Sequence, residues 1–268
     1  MPKAAKMTTP AKKPTTKRRA DQYNDPKHNY LHYWDGRQYE HRAEEIAIRR
    51  LLRGSHFRQA VDVGGGYGRL CLLLENYADK VTLAEPSQQQ LDIAADFLKD
   101  HPEIDRRLVQ ADDLPFKNGG VDLVTMIRVM HHLPDPSREF REIHRVLSDD
   151  GYAIIEVANY LHIRNRLKHL SRGERMPVKP VDIRSAANQR AEEIPFVNHN
   201  PYTVVRQLEH AGLQVEARLS VSNLRSVRLK KIMPPEFMIG AERILQRPLS
   251  GIYFGPSIFF LVRKARQA

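Results

Sequence analysis

The stretch Val61-Asp62-Val63-Gly64-Gly65-Gly66-Tyr67-Gly68-Arg69 constrains this chain more than any other. An apolar strand pattern runs into an acid, three glycines, a tyrosine and a fourth glycine. An apolar helical pattern with Leu70, Leu73, Leu74 and Tyr77 follows. Glycine is needed where the backbone turns at positive φ or must come close to a ligand. A strand, a Gly-rich turn and a helix N-terminus together make a cofactor cradle. The spacing separates two kinds of cofactor. A dinucleotide fingerprint G-x-G-x-x-G starting at Gly64 needs glycine where Arg69 stands. The pattern D-x-G-x-G-x-G is met in full by Asp62, Gly64, Gly66 and Gly68.

On those residues the chain resembles the class I S-adenosylmethionine-dependent methyltransferases, which carry this pattern as their first motif. A Gly-rich turn with no ligand is the plainer reading, and the next element weighs against it. Val81-Thr82-Leu83-Ala84 reads as a second strand ending on Glu85, 17 residues beyond Gly68. A carboxylate there can accept both hydroxyls of a ribose.

The resemblance assigns the S-adenosylmethionine site residue by residue. Close backbone approach at Gly64, Gly65, Gly66 and Gly68 suits the amino acid end of the donor. Asp62 matches the motif acid, which braces the loop and lies toward the donor's ammonium. Glu85 takes the ribose, and Pro86 limits the adenine pocket. Relatives place an acid after the third strand for the adenine amine. Aligned on the strand that acid is Asp112, and aligned on Leu114-Pro115-Phe116 its place falls to Gln110. Upstream, Tyr33-Trp34-Asp35-Gly36-Arg37 is similar to N-terminal segments that fold over the donor, and Arg37 suits its carboxylate through a bidentate pair. A surface arginine beside Glu40 is the alternative. After the fourth strand, Ile127-Arg128-Val129-Met130-His131-His132-Leu133-Pro134-Asp135 resembles the family's fourth motif in its small-molecule, type 11-like branch. Arg128 and His131 are the catalytic candidates there, and His132 reads as a local packing and hydrogen-bonding residue.

The pattern along the chain sets the fold class. Strands fit Ala60–Val63, Lys80–Glu85, Arg107–Gln110, Val121–Ile127, Gly151–Val157, Leu213–Ser220 and Ile258–Val262. Helices fit Glu40–Leu52, Tyr67–Tyr77, Gln88–Leu98, Ser137–Leu147 and Pro201–His210. Alternation of this kind implies an α/β, doubly wound parallel sheet. The resemblance makes it Rossmann-like and seven-stranded, with Ile258–Val262 inserted antiparallel between the fifth and sixth strands. Residues 160–198 and 221–256 fall outside the alternation. Connections that long usually carry function or extra structure, and relatives build helical caps over the substrate at these places. The expected organisation is a disordered basic tail over residues 1–20 and a methyltransferase domain over 21–268.

Composition bounds the partners. Lys and Arg number 43 against 32 Asp and Glu, a net charge of +11. Residues 1–19 hold seven of those cations and no acid, so the tail supplies most of the excess. Such a tail fits a polyanion such as nucleic acid, or a solvated extension, the simpler of the two. No apolar run is long enough to span a membrane, the N-terminus lacks the apolar core of a signal peptide, and the single cysteine, Cys71, reads as a core residue. A cytoplasmic compartment is the expectation, with no metal cluster. The acceptor stays open between a small-molecule or lipid-like compound, an RNA or protein, and no acceptor at all in a silent binding protein on the same fold. The basic stretch 162–172 reads as a segment that closes over an anionic substrate such as a carboxylate or phosphate, or as a solvated helix face, the commoner meaning of a charge run. The stretch 224–233 reads as a cap helix, the preferred reading since relatives place a lid there, or as a membrane-surface contact.

Overall fold

The computed structural model describes residue 34, residues 36–190 and residues 194–266. The expected tail over residues 1–20, together with Tyr33 and Asp35, lies outside the described residues.

After helix α1 (Gln38–Leu51) the chain alternates strand and helix: β1 (Phe57–Val63), α2 (Cys71–Leu74), β2 (Ala78–Glu85), α3 (Gln88–Phe97), β3 (Asp105–Leu108), β4 (Val121–Met126), α4 (Ser137–Val146) and β5 (Leu147–Ala158). A first insertion carries α5 (Ile163–Ser171), β6 (Val181–Asp182), α6 (Ala186–Arg190) and β7 (Val197–Asn198). Helix α7 (Pro201–His210) and β8 (Leu213–Val221) restore the alternation. A second insertion carries α8 (Val227–Ile232) and α9 (Pro235–Ser250) before the closing strand β9 (Ser257–Lys264).

The main sheet has the order β3-β2-β1-β4-β5-β9-β8. Strands β1 to β5 pair in parallel, and β9 is antiparallel to both β5 and β8. The expected antiparallel last strand is therefore present, between the fifth and the sixth strands of the main sheet. Successive side chains of a strand point to opposite faces, and the strands bury both. Ala60, Leu123 and Ile154 join the core under α1, α2 and α3. Val61, Val124 and Ile155 join the core under α4 and α7.

Local chemistry sets several boundaries. Ser87 caps α3 by accepting the Gln90 N–H at 3.2 Å. Asn200 caps α7 by accepting the Tyr202 N–H at 3.0 Å, with Pro201 at the first helical position. Both follow the preference for a short polar side chain at the cap. The helix expected over Tyr67–Tyr77 shrinks to Cys71–Leu74. Its flanks are closed by bonds three residues apart, Cys71 to Gly68 and Tyr77 to Leu74, and the Asn76 amide donates to the carbonyls of Leu72 and Leu73. Helical periodicity in the side chains cannot distinguish these tight turns from a regular helix. Strand β3 likewise sits two residues before its expected place, paired through Leu108 with Glu85.

Both insertions leave the sheet at the C-terminal rim of its parallel strands, after β5 and after β8. They touch there: Ile163 N–H donates to the Phe254 carbonyl at 3.0 Å, and the Asn159 amide reaches the carbonyls of Tyr253 and Gly255. Helix α9 packs beside α1 around a buried acid. Glu242, fully buried, accepts from Tyr39 Oη at 2.6 Å and from the N–H groups of Ser222 and Asn223 at 2.8 and 3.1 Å. Burial raises the pKa of both Glu242 and Tyr39. Leaving buried donors unsatisfied costs about 1–3 kcal/mol each. Glu242→Ala should therefore lose roughly 3 kcal/mol or more of stability and Tyr39→Phe about 1. Urea unfolding of the two variants checks this order; an equal, small loss would show that the network is not a structural tie.

Candidate functional site

The glycine loop closes over the C-terminal ends of β1 and β2. Gly64 and Gly66 have φ of +67° and +61°, a region where a Cβ is strained. At Gly65 the constraint is space: a Cβ there would collide with the Asp62 carboxylate and lie 2.6 Å from Leu83 Cδ1. The loop therefore lies directly on Asp62. That acid is buried and accepts from Thr125 Oγ1 at 2.6 Å, which ties the end of β1 to β4. Burial pushes its pKa up to about 6, against the pull of Thr125, Arg69 and Cys71. Cys71 itself is buried, and burial with the nearby Asp62 charge raises its thiol pKa.

Glu85 ends β2 as expected and is buried. Its carboxylate accepts the Gly66 N–H at 2.8 Å and the Ser87 N–H at 3.0 Å. So the acid and the glycine loop form one unit. In the turn after β3, Asp112 and Gln110 are both exposed. The Val109 N–H donates to the Glu85 carbonyl at 3.0 Å, which holds that turn beside the end of β2. Arg37 sits at the N-cap of α1, its N–H donating to the Trp34 carbonyl at 2.9 Å. Glu40 pairs instead with Lys230 at 2.6 Å and Arg225 at 3.6 Å.

Arg128 follows β4 with φ of +62°. A non-glycine residue held there costs of order 1–3 kcal/mol and is over-represented at functional sites. Two carboxylates hold it. Its N–H donates to Glu156 Oε2 at 3.1 Å, and its guanidinium to Glu44 Oε1 at 3.1 Å. Glu156, buried in β5, also accepts from Ser257 Oγ at 2.6 Å, and burial raises its pKa. Glu44 is shared with Arg69 at 2.6 Å, and the Trp34 ring lies 3.8 Å from the Arg69 guanidinium. Arg69 also donates to His41 Nδ1.

This cluster of Trp34, Glu44, Arg69 and Glu156 escaped the sequence reading. Glu156 alone carried a signal, as a single acid in an apolar strand buried on both faces. A cavity of about 350 Å³ lies beside the cluster, lined among others by Trp34, His41, Tyr67, Arg69, Leu72 and Phe97. Its walls come from α1, the end of the loop, α2 and α3, and include none of the expected donor ligands.

His131 is buried, with ring centroids 4.0 Å from His132 and 4.4 Å from Phe196. Burial, then His132, Arg128 and His199, hold its pKa well below the usual imidazole value. His132 Nδ1 lies 3.0 Å from the Pro195 carbonyl and His199 Nε2 2.9 Å from that of Met130. These contacts pin the 3-10 turn Met130–His132 to the first insertion.

A seven-stranded sheet of this order, with the acid-glycine loop joined to the acid at the end of β2, defines a class I S-adenosylmethionine-dependent methyltransferase fold. Residues 61–155 match the family model described as a methyltransferase domain, and this segment belongs to that family in its type 11 branch. Among curated proteins, an uncharacterized methyltransferase of Bacillus subtilis is 27% identical over 95 residues, 35% of this chain and 38% of that protein. The chain thus spans little more than a third of that relative's length. A ubiquinone biosynthesis O-methyltransferase of Thiobacillus denitrificans is 27% identical over 169 residues, 57% of this chain and 73% of that protein. Among solved structures, an S-adenosylmethionine-dependent methyltransferase of Mesorhizobium loti superposes with a TM-score of 0.56 at 16% identity, covering 83% of this chain and 98% of that one. Among the described residues, no helix is long and apolar enough to cross a membrane.

Asp62 gives a signed pH prediction. A carboxyl raised from 3.8 to about 6 binds its proton more tightly in the folded state. Its contribution to stability is full below the unfolded value and is lost as pH rises through the folded one. Asp62→Asn lacks this dependence. Relative to the parent, the variant should gain on the order of 2–3 kcal/mol between roughly pH 4 and pH 7. Denaturant unfolding at both pH values measures it, and a difference that does not move with pH would contradict the assignment.

Proposed function

We propose that the chain transfers the methyl group of S-adenosylmethionine to a small-molecule or lipid-like acceptor. The observation that carries this reading is the joined unit of glycine loop and Glu85 at the strand ends, where open α/β sheets take their ligands. The residues present fit the donor. The loop at Gly64, Gly65, Gly66 and Gly68 leaves backbone where side chains would stand. A carboxylate oxygen accepts two donors, so Glu85 can hold a ribose diol while keeping its bonds to Gly66 and Ser87. Asp62, beneath the loop, supplies negative potential toward the donor's ammonium. Arg37 takes the donor's carboxylate, and Asp112 takes the adenine amine, with Gln110 as the other candidate in the same turn.

The bound donor supplies an activated methyl on a sulfonium, open to in-line displacement. The protein's part is to align the acceptor and exclude water, and orientation of two bound reactants contributes up to roughly 7–11 kcal/mol in ideal cases. The insertions over residues 160–198 and 221–256 act as the cap that provides the acceptor space, with Arg128 and His131 at its floor. Arg128, fixed by Glu44 and Glu156, serves as a positioned cation. His131 serves as an uncharged imidazole, in keeping with its lowered pKa. The similarity to ubiquinone-pathway enzymes supports a small, apolar acceptor over a macromolecule. Donor-dependent labelling of a cell extract, fractionated into small molecules, lipid, RNA and protein, tests the acceptor class.

Two outcomes follow for the donor and the floor. Glu85→Ala should fold and weaken donor affinity by about 1.5–3 kcal/mol, tenfold or more, in calorimetric titration; unchanged affinity would remove Glu85 from the ribose site. With the acceptor in hand, any break in the transfer rate near pH 6 should come from Asp62 and persist in His131→Gln, because burial holds the His131 imidazole neutral there. A single ionisation there, lost in His131→Gln, would make it a proton carrier instead.

A further inference from the structure

Helix α5 is turned inside out. Three of its polar residues face the protein: Asn165 donates to the Tyr160 carbonyl at 2.9 Å, Arg166 to the Leu161 carbonyl at 2.5 Å, and His169 Nε2 lies 3.3 Å from Tyr160 Oη. Its apolar residues Ile163, Leu167 and Leu170 recur at i, i+4 and i+7, the spacing of one helix face. Leu167 and Leu170 are 58% and 77% exposed, and no residue of the helix is buried. Soluble helices turn such a stripe to the core.

A second helix repeats the feature next to it. Arg164 donates to the Arg225 carbonyl at 3.3 Å, so the start of α5 lies against the segment leading into α8. In α8, Val227 and Ile232 are 74% and 76% exposed, and again no residue is buried. The two segments are strongly cationic. Residues 163–175 carry five Lys and Arg against one acid, Glu174, and residues 225–233 carry four and none, of which Arg225 and Lys230 pair with Glu40 and Arg228 and Lys231 do not.

We infer that α5 and α8 form a docking surface for an anionic lipid bilayer. Large exposed aliphatic groups ringed by cations match an interface where side chains enter the acyl boundary and Lys and Arg meet acidic headgroups. Charge decides between the candidate occupants. The segment over residues 1–19 has seven cations and no acid, and a second copy would bring the same cationic face, so both are repelled. An RNA would satisfy the cations and leave four large aliphatic side chains in water. The surface does not depend on the methyl-transfer reading, and vesicle binding tests it without donor or acceptor.

The test is flotation of the full chain with vesicles of phosphatidylcholine, with and without phosphatidylglycerol. Binding is expected only when phosphatidylglycerol is present, and it should weaken with added salt. Leu167→Ser with Leu170→Ser, both at exposed positions, should reduce binding at least tenfold while leaving the melting temperature unchanged. Lys168→Gln with Arg172→Gln should weaken it by roughly fivefold for each cation removed. Three results would overturn the inference: no binding to phosphatidylglycerol vesicles, equal binding to neutral ones, or full binding by the double serine variant, which would assign the attraction to the N-terminal cations. So would preferential binding of an RNA oligonucleotide that the serine changes do not affect, or a dimer that those changes dissociate.

Discussion

The hydrogen bond from the Gly66 N–H to the Glu85 carboxylate is the joint around which the molecule is arranged. It joins the turn after β1 to the end of β2, and it requires a backbone that only glycine supplies easily at Gly64 and Gly66. Beneath it, Asp62 and Thr125 tie β1 to β4. Three adjacent strands are thereby locked in register at the same rim. A buried carboxylate in this place is costly unless donors surround it. Glu85 receives two N–H groups and Asp62 a hydroxyl, so the loop, the strands and the acids hold one another in place.

Beyond this joint a second set of charges organises the end of β4. Glu44 is shared by Arg69 and Arg128, and Glu156 fixes the Arg128 backbone in its left-handed conformation. The arrangement links α1, the glycine loop, β4 and β5 through the carboxylates of Glu44 and Glu156. Truncating one partner of a buried charged pair is strongly destabilising because the other is left uncompensated. The cluster is thus stiff, and any group placed against Arg128 meets a guanidinium whose direction is already set.

The sheet was legible in the sequence because apolar strands and amphipathic helices alternate with sharp turn signals, and because Gly64 to Gly68 and Glu85 carry their chemistry in their spacing. Less was legible where the same side-chain pattern suits two backbones. Leu70, Leu73, Leu74 and Tyr77 satisfy a helix and a series of tight turns equally, and β3, short and largely exposed, has too little apolar periodicity to fix its register. Tertiary pairings were invisible for another reason. Glu44 looks like a surface acid of an amphipathic helix until Arg69 and Arg128 arrive from 25 and 84 residues away. The outward-facing stripe of α5 was likewise hidden. Its periodicity announces a helix, and only the bonds of Asn165 and Arg166 show which side faces in.

Because β9 runs back between β5 and β8, the chain meets the C-terminal rim after β5, after β8 and before β9, besides the ends of β1 to β4. Each insertion is therefore a loop whose two ends are anchored in strands or helices of the framework. Length added at either place is absorbed outside the ladder, since loop closure grows costlier only slowly with length. The bonds that join β1, β2 and β4 lie outside both insertions. The molecule behaves as a fixed socket with two replaceable jaws, and divergence among related chains can change what the jaws grip while the socket keeps its shape.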